Sequence, residues 1–296
     1  MIPTTLPATL LPRARGLTDA LLAPGPPSPP PQVVADLSRA LKDGLAEARH
    51  GCDGAAVRVD AFAIRTAADP PREKSRPEDG PFRWTPRRAR RTVGVRAAAR
   101  VVNGRVRYPA QGAERAVAEL VEEGRGGARR GSLEDWLGTA PPAVVAAVLA
   151  ESTAWATHLV TAIEWDRVGG SVEVGGPDRW WDLGGRPTIG LRGRVDVRLR
   201  GARPEGPGSD QQSLLTVVNG RPGPASRAEL GLAALVDMLR RPAEPVPARV
   251  VGWWPECGRA LVLDVGEELL TSTAAAVLAA VRHALQCHGL RAVATR

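Results

Sequence analysis

A single carboxylate, Asp196, stands in a row of arginines. In TIGLRGRVDVRLR, residues 188 to 200, the odd positions Ile189, Leu191, Val195, Val197 and Leu199 are apolar, while Arg192, Arg194, Asp196, Arg198 and Arg200 fall on even ones. That alternation predicts a half-buried strand with its polar row on one face. A carboxylate so placed can hold a cation, or it can hold its arginine neighbours in position, a pairing that contributes a few tenths of a kcal/mol. The face suits a phosphate backbone in either case. A second concentration of chemistry is FRWTPRRARRTVGVRAAARVV, where arginines 83, 87, 88, 90, 91, 96 and 100 accompany Trp84. Guanidinium groups bind phosphates bidentately and aromatics stack on unpaired bases, so Arg87, Arg88, Arg90 and Arg91 are candidates for a nucleic-acid contact. A solvated basic face, or pairing with the acidic stretch at 119 to 123, is the competing reading.

Other chemistry is poorly supplied. There is no G-x-x-x-x-G-K-[ST], no G-x-G-x-x-G and no G-x-S-x-G, and the four histidines form no metalloprotease pattern. Cys52, Cys257 and Cys287 are widely spaced with no CxxC, so they read as reduced thiols and not as a disulfide framework or a zinc ribbon. His283 and Cys287, one helical turn apart, could share a metal with Cys257 or with His50 and Cys52, but packing and surface roles are expected of them. The net charge of +8 favours an anionic partner, tempered by composition: 38 of the 40 basic residues are arginine, in a chain rich in Ala, Gly, Pro and Val, so part of the excess reflects codon usage. No apolar run reaches the ~18 residues of a membrane span, and the opening residues do not resemble a secretion signal. A cytoplasmic protein with no membrane partner is the expectation.

The elements that must position these groups follow from periodicity. Residues 1–32 end in APGPPSPPPQ and are expected to be a mobile, proline-rich extension. Residues 33–139 form a helical and basic region: a helix from Val33 to Arg49, a strand from Ala55 to Ile64, an exposed charged loop, a helix from about Arg87 to Val102 capped by Thr85, a helix from Ala113 to Glu123, and a turn opened by Ser132. Residues 140–296 hold a long helix from Pro142 to about Trp165, strands at 171–174, 179–183 and 188–200, and an almost unbroken apolar strand at 213–218. A helix at 225–240, a hairpin at 248–254 and 260–265, and a closing helix ended by His288-Gly289 complete it. Along the long helix, Glu151 and His158 flank the stripe of Val148, Ser152, Trp155, Leu159 and Ala162, where both could look into a cleft beside the sheet. The adjacent Trp253 and Trp254 of the hairpin should point to opposite faces, so that one can fill the core while the other is exposed outward or seals the sheet edge.

A GRxD strand, a second apolar strand ending in an N-G-R-P turn (Asn219 to Pro222) and an amphipathic helix after it resemble the RecB-type nuclease module of the PD-(D/E)XK superfamily, over roughly residues 140 to 287. The resemblance implies an α/β fold: a restriction-endonuclease-like core with a mixed central sheet flanked by helices, here with an N-terminal helical and basic region added. It implies a metal-binding Asp at Asp196 and a metal-binding His at His158. The positions for an acidic residue and a lysine on the second strand hold Thr216 and Val218, and the family's Q-x-x-x-Y falls on Glu229 and Ala233. Mg²⁺ prefers oxygen ligands, and phosphodiester cleavage also needs a cation near the transition state.

Three functions follow. The first is a nuclease-fold protein that has lost its catalytic site and binds DNA through Arg87, Arg88, Arg90, Arg91, Arg192, Arg194 and Arg198, or serves as a structural subunit of a DNA-processing or defence assembly, working with an ATPase or helicase and needing no cofactor. The second is an active Mg²⁺- or Mn²⁺-dependent nuclease whose missing groups have migrated, with Asp196, His158 and Glu229 as ligands and Arg221 or Arg227 as the cation. The third is a protein-interaction scaffold without nucleic-acid binding.

Overall fold

The computed structural model describes residues 9–11, 16–49, 56–68, 83–168, 171–175, 180–184, 188–200 and 211–294. In chain order its strands are β1 (Thr9–Leu11), β2 (Val57–Val59), β3 (Ser171–Val174), β4 (Trp181–Asp182), β5 (Ile189–Leu191), β6 (Val197–Arg200), β7 (Gln212–Val217), β8 (Arg249–Trp254) and β9 (Arg259–Asp264). Its helices are α1 (Leu17–Leu22), α2 (Pro31–Arg49), α3 (Ala61–Ala68), α4 (Pro86–Val102), α5 (Pro109–Arg125), α6 (Leu133–Thr139), α7 (Pro142–Ala162), α8 (Ser226–Arg240) and α9 (Glu267–Ala294). The protein is mixed α/β, with two mixed sheets flanked by helices.

Strand β7 lies inside the larger sheet, in the order β1-β9-β8-β7-β6-β3, because every one of its residues can be buried without stranding a charge. It pairs antiparallel with β6 and parallel with β8, the parallel step being bridged by α8. The hairpin β8–β9 is antiparallel, and β1 closes the edge against β9. Register sets the faces: Leu214, Val250 and Leu263 lie in one row and join Leu230 and Leu235 of α8 and Val277 and Val281 of α9 in the main core. With both faces of β8 covered, Trp253 and Trp254 are both buried, so the expectation of one outward tryptophan is corrected.

The chain forms two compact units that cut across the three consecutive segments expected from composition: residues 1–75, 169–172 and 176–296 in one, and 76–168 with 173–175 in the other. The proline-rich start is not a free extension. Leu17 and Leu21 of α1 are buried, and Ser213 donates to the Leu21 carbonyl. Gly25 donates to the Gln211 side chain, Ser28 donates to the Val246 carbonyl, and Arg249 donates to the carbonyls of Ala20, Ala23 and Pro24. Proline lacks a donor but keeps its acceptor, and here the segment's carbonyls and serine meet donors and acceptors of the sheet.

Two further corrections have local causes. The strand expected over 55–64 stops at Val59, since Asp60 accepts from the backbone N–H groups of Phe62 and Ala63 and so starts α3. The strand expected over 188–200 is two strands in two sheets: β5 lies between β2 and β4 in a three-stranded sheet, and β6 lies in the larger one. Helix α9 runs through Gly289 to Ala294, because a glycine weakens a helix without ending it and no proline follows.

In the other unit, Thr85 caps α4, accepting from the Arg88 N–H, and Ser132 caps α6, accepting from the Asp135 N–H, both as the sequence predicts. Helices α4 and α7 approach closely at Gly94, where a Cβ would stand 2.7 Å from the Trp155 ring. Ala89, Val93, Ala116, Leu120, Leu137 and Val148 form the core. Helix α7 is, among the described residues, long and apolar enough to cross a membrane by length and composition, with 28% of that window buried. Its few polar residues break the apolar run that the sequence reading counted without lowering the average enough to fail that test.

Candidate functional site

Asp196 occupies the step into β6, and the hydrogen bonds around it decide what it can do. Its backbone N–H donates to the Leu215 carbonyl at 2.8 Å, and its Oδ2 accepts from the Val217 N–H at 2.8 Å. Beside it the Thr216 hydroxyl donates to the Arg194 carbonyl at 2.5 Å. The carboxylate is 2% exposed. The Asp196 side chain therefore extends the β6–β7 ladder beyond the start of β6. Replacing Asp196 by alanine leaves the Val217 N–H buried without this acceptor and is expected to lower stability by about 1–3 kcal/mol. Asparagine retains an acceptor oxygen and should keep most of that loss from appearing, as a comparison of urea unfolding midpoints would measure.

The other expected ligands are placed elsewhere. Glu229, on the first turn of α8, pairs with Arg65 of α3 at 2.7 Å. Burial pushes its carboxyl above the ordinary range, against the pull of Arg65 and with a smaller push from Asp60. His158 is exposed on α7 in the helical unit, and Glu151 on the same helix pairs with Arg90 of α4 at 3.3 Å. Arg221 is exposed in the turn after β7 and Arg227 is half-buried on α8. Among the described residues no three His, Cys, Asp or Glu side chains come together as ligands for a metal ion. Cys257 is half-buried, its thiol 3.7 Å from the Trp254 carbonyl, while His50, Cys52 and the Cys287 side chain lie outside the described residues.

The arginines expected to form one basic face on residues 192 to 198 do not share it. Arg192 is held by Asp60 at 3.3 Å and lies 4.7 Å from the Trp180 ring centroid, with Arg58 at 5.1 Å from the same ring. Arg194 is exposed. Arg198 is 2% exposed and enters a polar cluster under α8, where it pairs with Asp237, with Glu244 at 3.1 Å, and donates to the side-chain Oε1 of Gln212 at 2.6 Å. Arg200 and Arg241 reach Glu244 at 2.8 and 3.3 Å. Desolvation raises the Asp237 carboxyl above its ordinary value despite Arg198 and Arg241. Glu244 is also pushed up by partial burial, but Arg241, Arg200 and Arg198 together take it below its ordinary value. The alternation rule missed this cluster because the chain breaks at Gly193, and an arginine on a strand reads as a surface residue unless its acidic partners, 39 and 46 positions away, are known to face it.

On α4 the arginines divide. Arg90 pairs with Glu151, Arg96 with Glu123 at 3.5 Å, and Arg100 with Glu119, so pairing with the acidic stretch at 119 to 123 accounts for part of the row. Arg91 is half-buried. Arg87 and Arg88 are exposed in the first turn, which contains no acidic residue, and the Arg88 guanidinium donates to the Arg83 carbonyl at 2.6 Å. Cations there oppose the helix dipole at a cost of about 0.3–1 kcal/mol each, so the dipole does not explain their position.

Comparison with known proteins returns no matching family model, no matching curated protein and no matching solved structure.

Proposed function

We propose that this chain binds nucleic acid without hydrolysing it, on a scaffold resembling the RecB-type nuclease module, as a DNA-binding or structural subunit of a DNA-processing or defence assembly. The observation that carries the loss of hydrolysis is the commitment of the buried Asp196 carboxylate to the Val217 N–H, with Thr216 committed to Arg194. The antiparallel β6–β7 pair followed by α8 and the parallel β8 supports the resemblance in element order. Exposed Arg87 and Arg88, in a first turn where cations oppose the helix dipole, support an anionic partner. A helicase- or ATPase-type partner is the expectation the resemblance adds.

The test joins metal and DNA. Calorimetric titration with Mn²⁺ of the wild type and of Asp196→Asn should show no saturable binding that depends on Asp196, and plasmid incubated with Mg²⁺ or Mn²⁺ should stay intact. Asp196-dependent binding together with cleavage would replace this reading by the rearranged nuclease on Asp196 and Glu229. DNA affinity should fall with salt, and the double reversal Arg87→Glu/Arg88→Glu should weaken binding across sequences while reducing the salt slope by about 2. Acidic residues in the first turn favour the helix, so that variant should fold as well as the wild type. Absence of salt-dependent binding would leave the interaction-scaffold reading.

A further inference from the structure

Between α4 and α5 the chain makes a turn in which Gly104 adopts φ +66° and Val106 is buried. Anchoring Val106 leaves its neighbours Arg105 and Arg107 on the surface, on either side of a buried residue. Arg115 on α5 donates to the Arg105 carbonyl at 3.4 Å, which brings a third guanidinium to the same place. With Gln111 and Glu114 these side chains line an open depression of about 700 Å³, within the size range of ligand pockets. Three guanidinium groups against one carboxylate select an anion. Next to the depression Tyr108 is 52% exposed, one of two large hydrophobic side chains so exposed among the described residues, and the Arg107 guanidinium lies 5.4 Å from its ring centroid. The tyrosine thus keeps about half its surface in water, with an arginine beside its ring.

We infer that Arg105, Arg107 and Arg115 hold the phosphates of a single-stranded nucleic acid while Tyr108 stacks on an unpaired base. A tyrosine beside a basic depression can meet a base only where that base is unstacked from a complement, which favours a single strand over a duplex. This rests on the nucleic-acid reading above and adds the kind of strand and the place where it is read. It makes α4 and the α4–α5 turn separable: Arg87 and Arg88 contribute charge to any nucleic acid, and Tyr108 contributes only where bases are free.

The experiment is fluorescence anisotropy of labelled dT20 and of the dT20·dA20 duplex with the full chain. Tyr108→Ala should weaken dT20 binding by about 5- to 100-fold and leave duplex binding unchanged, while Tyr108→Phe keeps wild-type affinity. Arg105→Ala/Arg107→Ala/Arg115→Ala should weaken dT20 and flatten its salt dependence. If Tyr108→Ala binds dT20 as the wild type does while Arg87→Glu/Arg88→Glu weakens both probes, this inference falls and the broader reading stands. If the wild type binds neither probe, both fall. Tyr108 is a surface residue and the phenylalanine variant controls for folding, so a loss confined to dT20 reads the stack.

Discussion

Arg198→Ala is expected to destabilise the protein by about 3–5 kcal/mol, the range for removing one partner from a buried ion pair. The side chain is 2% exposed and joins Asp237, Glu244 and Gln212, so its loss strands an acid that burial has already pushed up. The pH dependence gives a second signature. In the variant Asp237 loses the attraction of Arg198 and its carboxyl rises further, so the folded state holds a proton that the unfolded state releases, and stability falls as pH rises through that interval. Glu244, held low partly by Arg198, moves back toward its ordinary value and gives up stabilisation that the wild type has at neutral pH. Both effects have the same sign: the difference between wild type and variant should be larger at pH 7 than near pH 4, as urea unfolding at the two pH values would record. Arg198→Met with Asp237→Leu should recover much of the loss, since an apolar pair leaves no charge buried. A pH-independent difference would mean that Arg198 acts through its packing alone.

Gly193→Ala should cost about 3 kcal/mol, the upper end of overpacking penalties, for a single added methyl group. A Cβ at this position would lie 2.5 Å from the Leu232 carbonyl oxygen and 2.7 Å from the Ala233 Cα. Both are backbone atoms of α8, which cannot rotate aside as a side-chain tip can. The position also sets the path of the chain, since β5 before it and β6 after it belong to different sheets. Gly220→Ala, a glycine at φ +84° with no atom near the added Cβ, is the comparison: it strains only its own backbone and should cost less. Thermal unfolding of the two variants would rank them, and equal losses would show that α8 can retreat from the crossing.

These two sites show how far the fold could be read from residues alone. The run at 213–218, the helix at 226–240 and the hairpin through Trp253 and Trp254 were legible because each is long, periodic and bounded by turn residues. The alternation from Ile189 to Leu199 was just as regular and misled, because periodicity reports which residues face a core and not whether one sheet or two supply it. Asp60 could have been read as a helix cap from its type, but the apolar alternation around Val57 and Val59 outweighed it. At the candidate site, Asp196 was legible as a singular carboxylate, and its role was not: whether a buried acid holds a cation or a backbone N–H depends on a residue of another strand, 21 positions later in the chain. The Tyr108 turn escaped notice because two closely spaced arginines in a turn read as ordinary surface residues, and the third, Arg115, joins them only by the return of α5.

The pairing of β1 with β9 has a consequence for how the chain assembles. Thr9 meets Val262, and Arg249 reaches the carbonyls of Ala20 and Ala23, so the segment made early must wait for the last third of the chain before its partners exist. The helical unit at 76–168 is made in between and draws its own core from neighbouring helices, so it can fold first on the ribosome. The sheet unit is dominated by long-range pairing and should be the slow step. Until it closes, Leu17 and Leu21 of α1, buried in the folded protein, have no sheet to cover them.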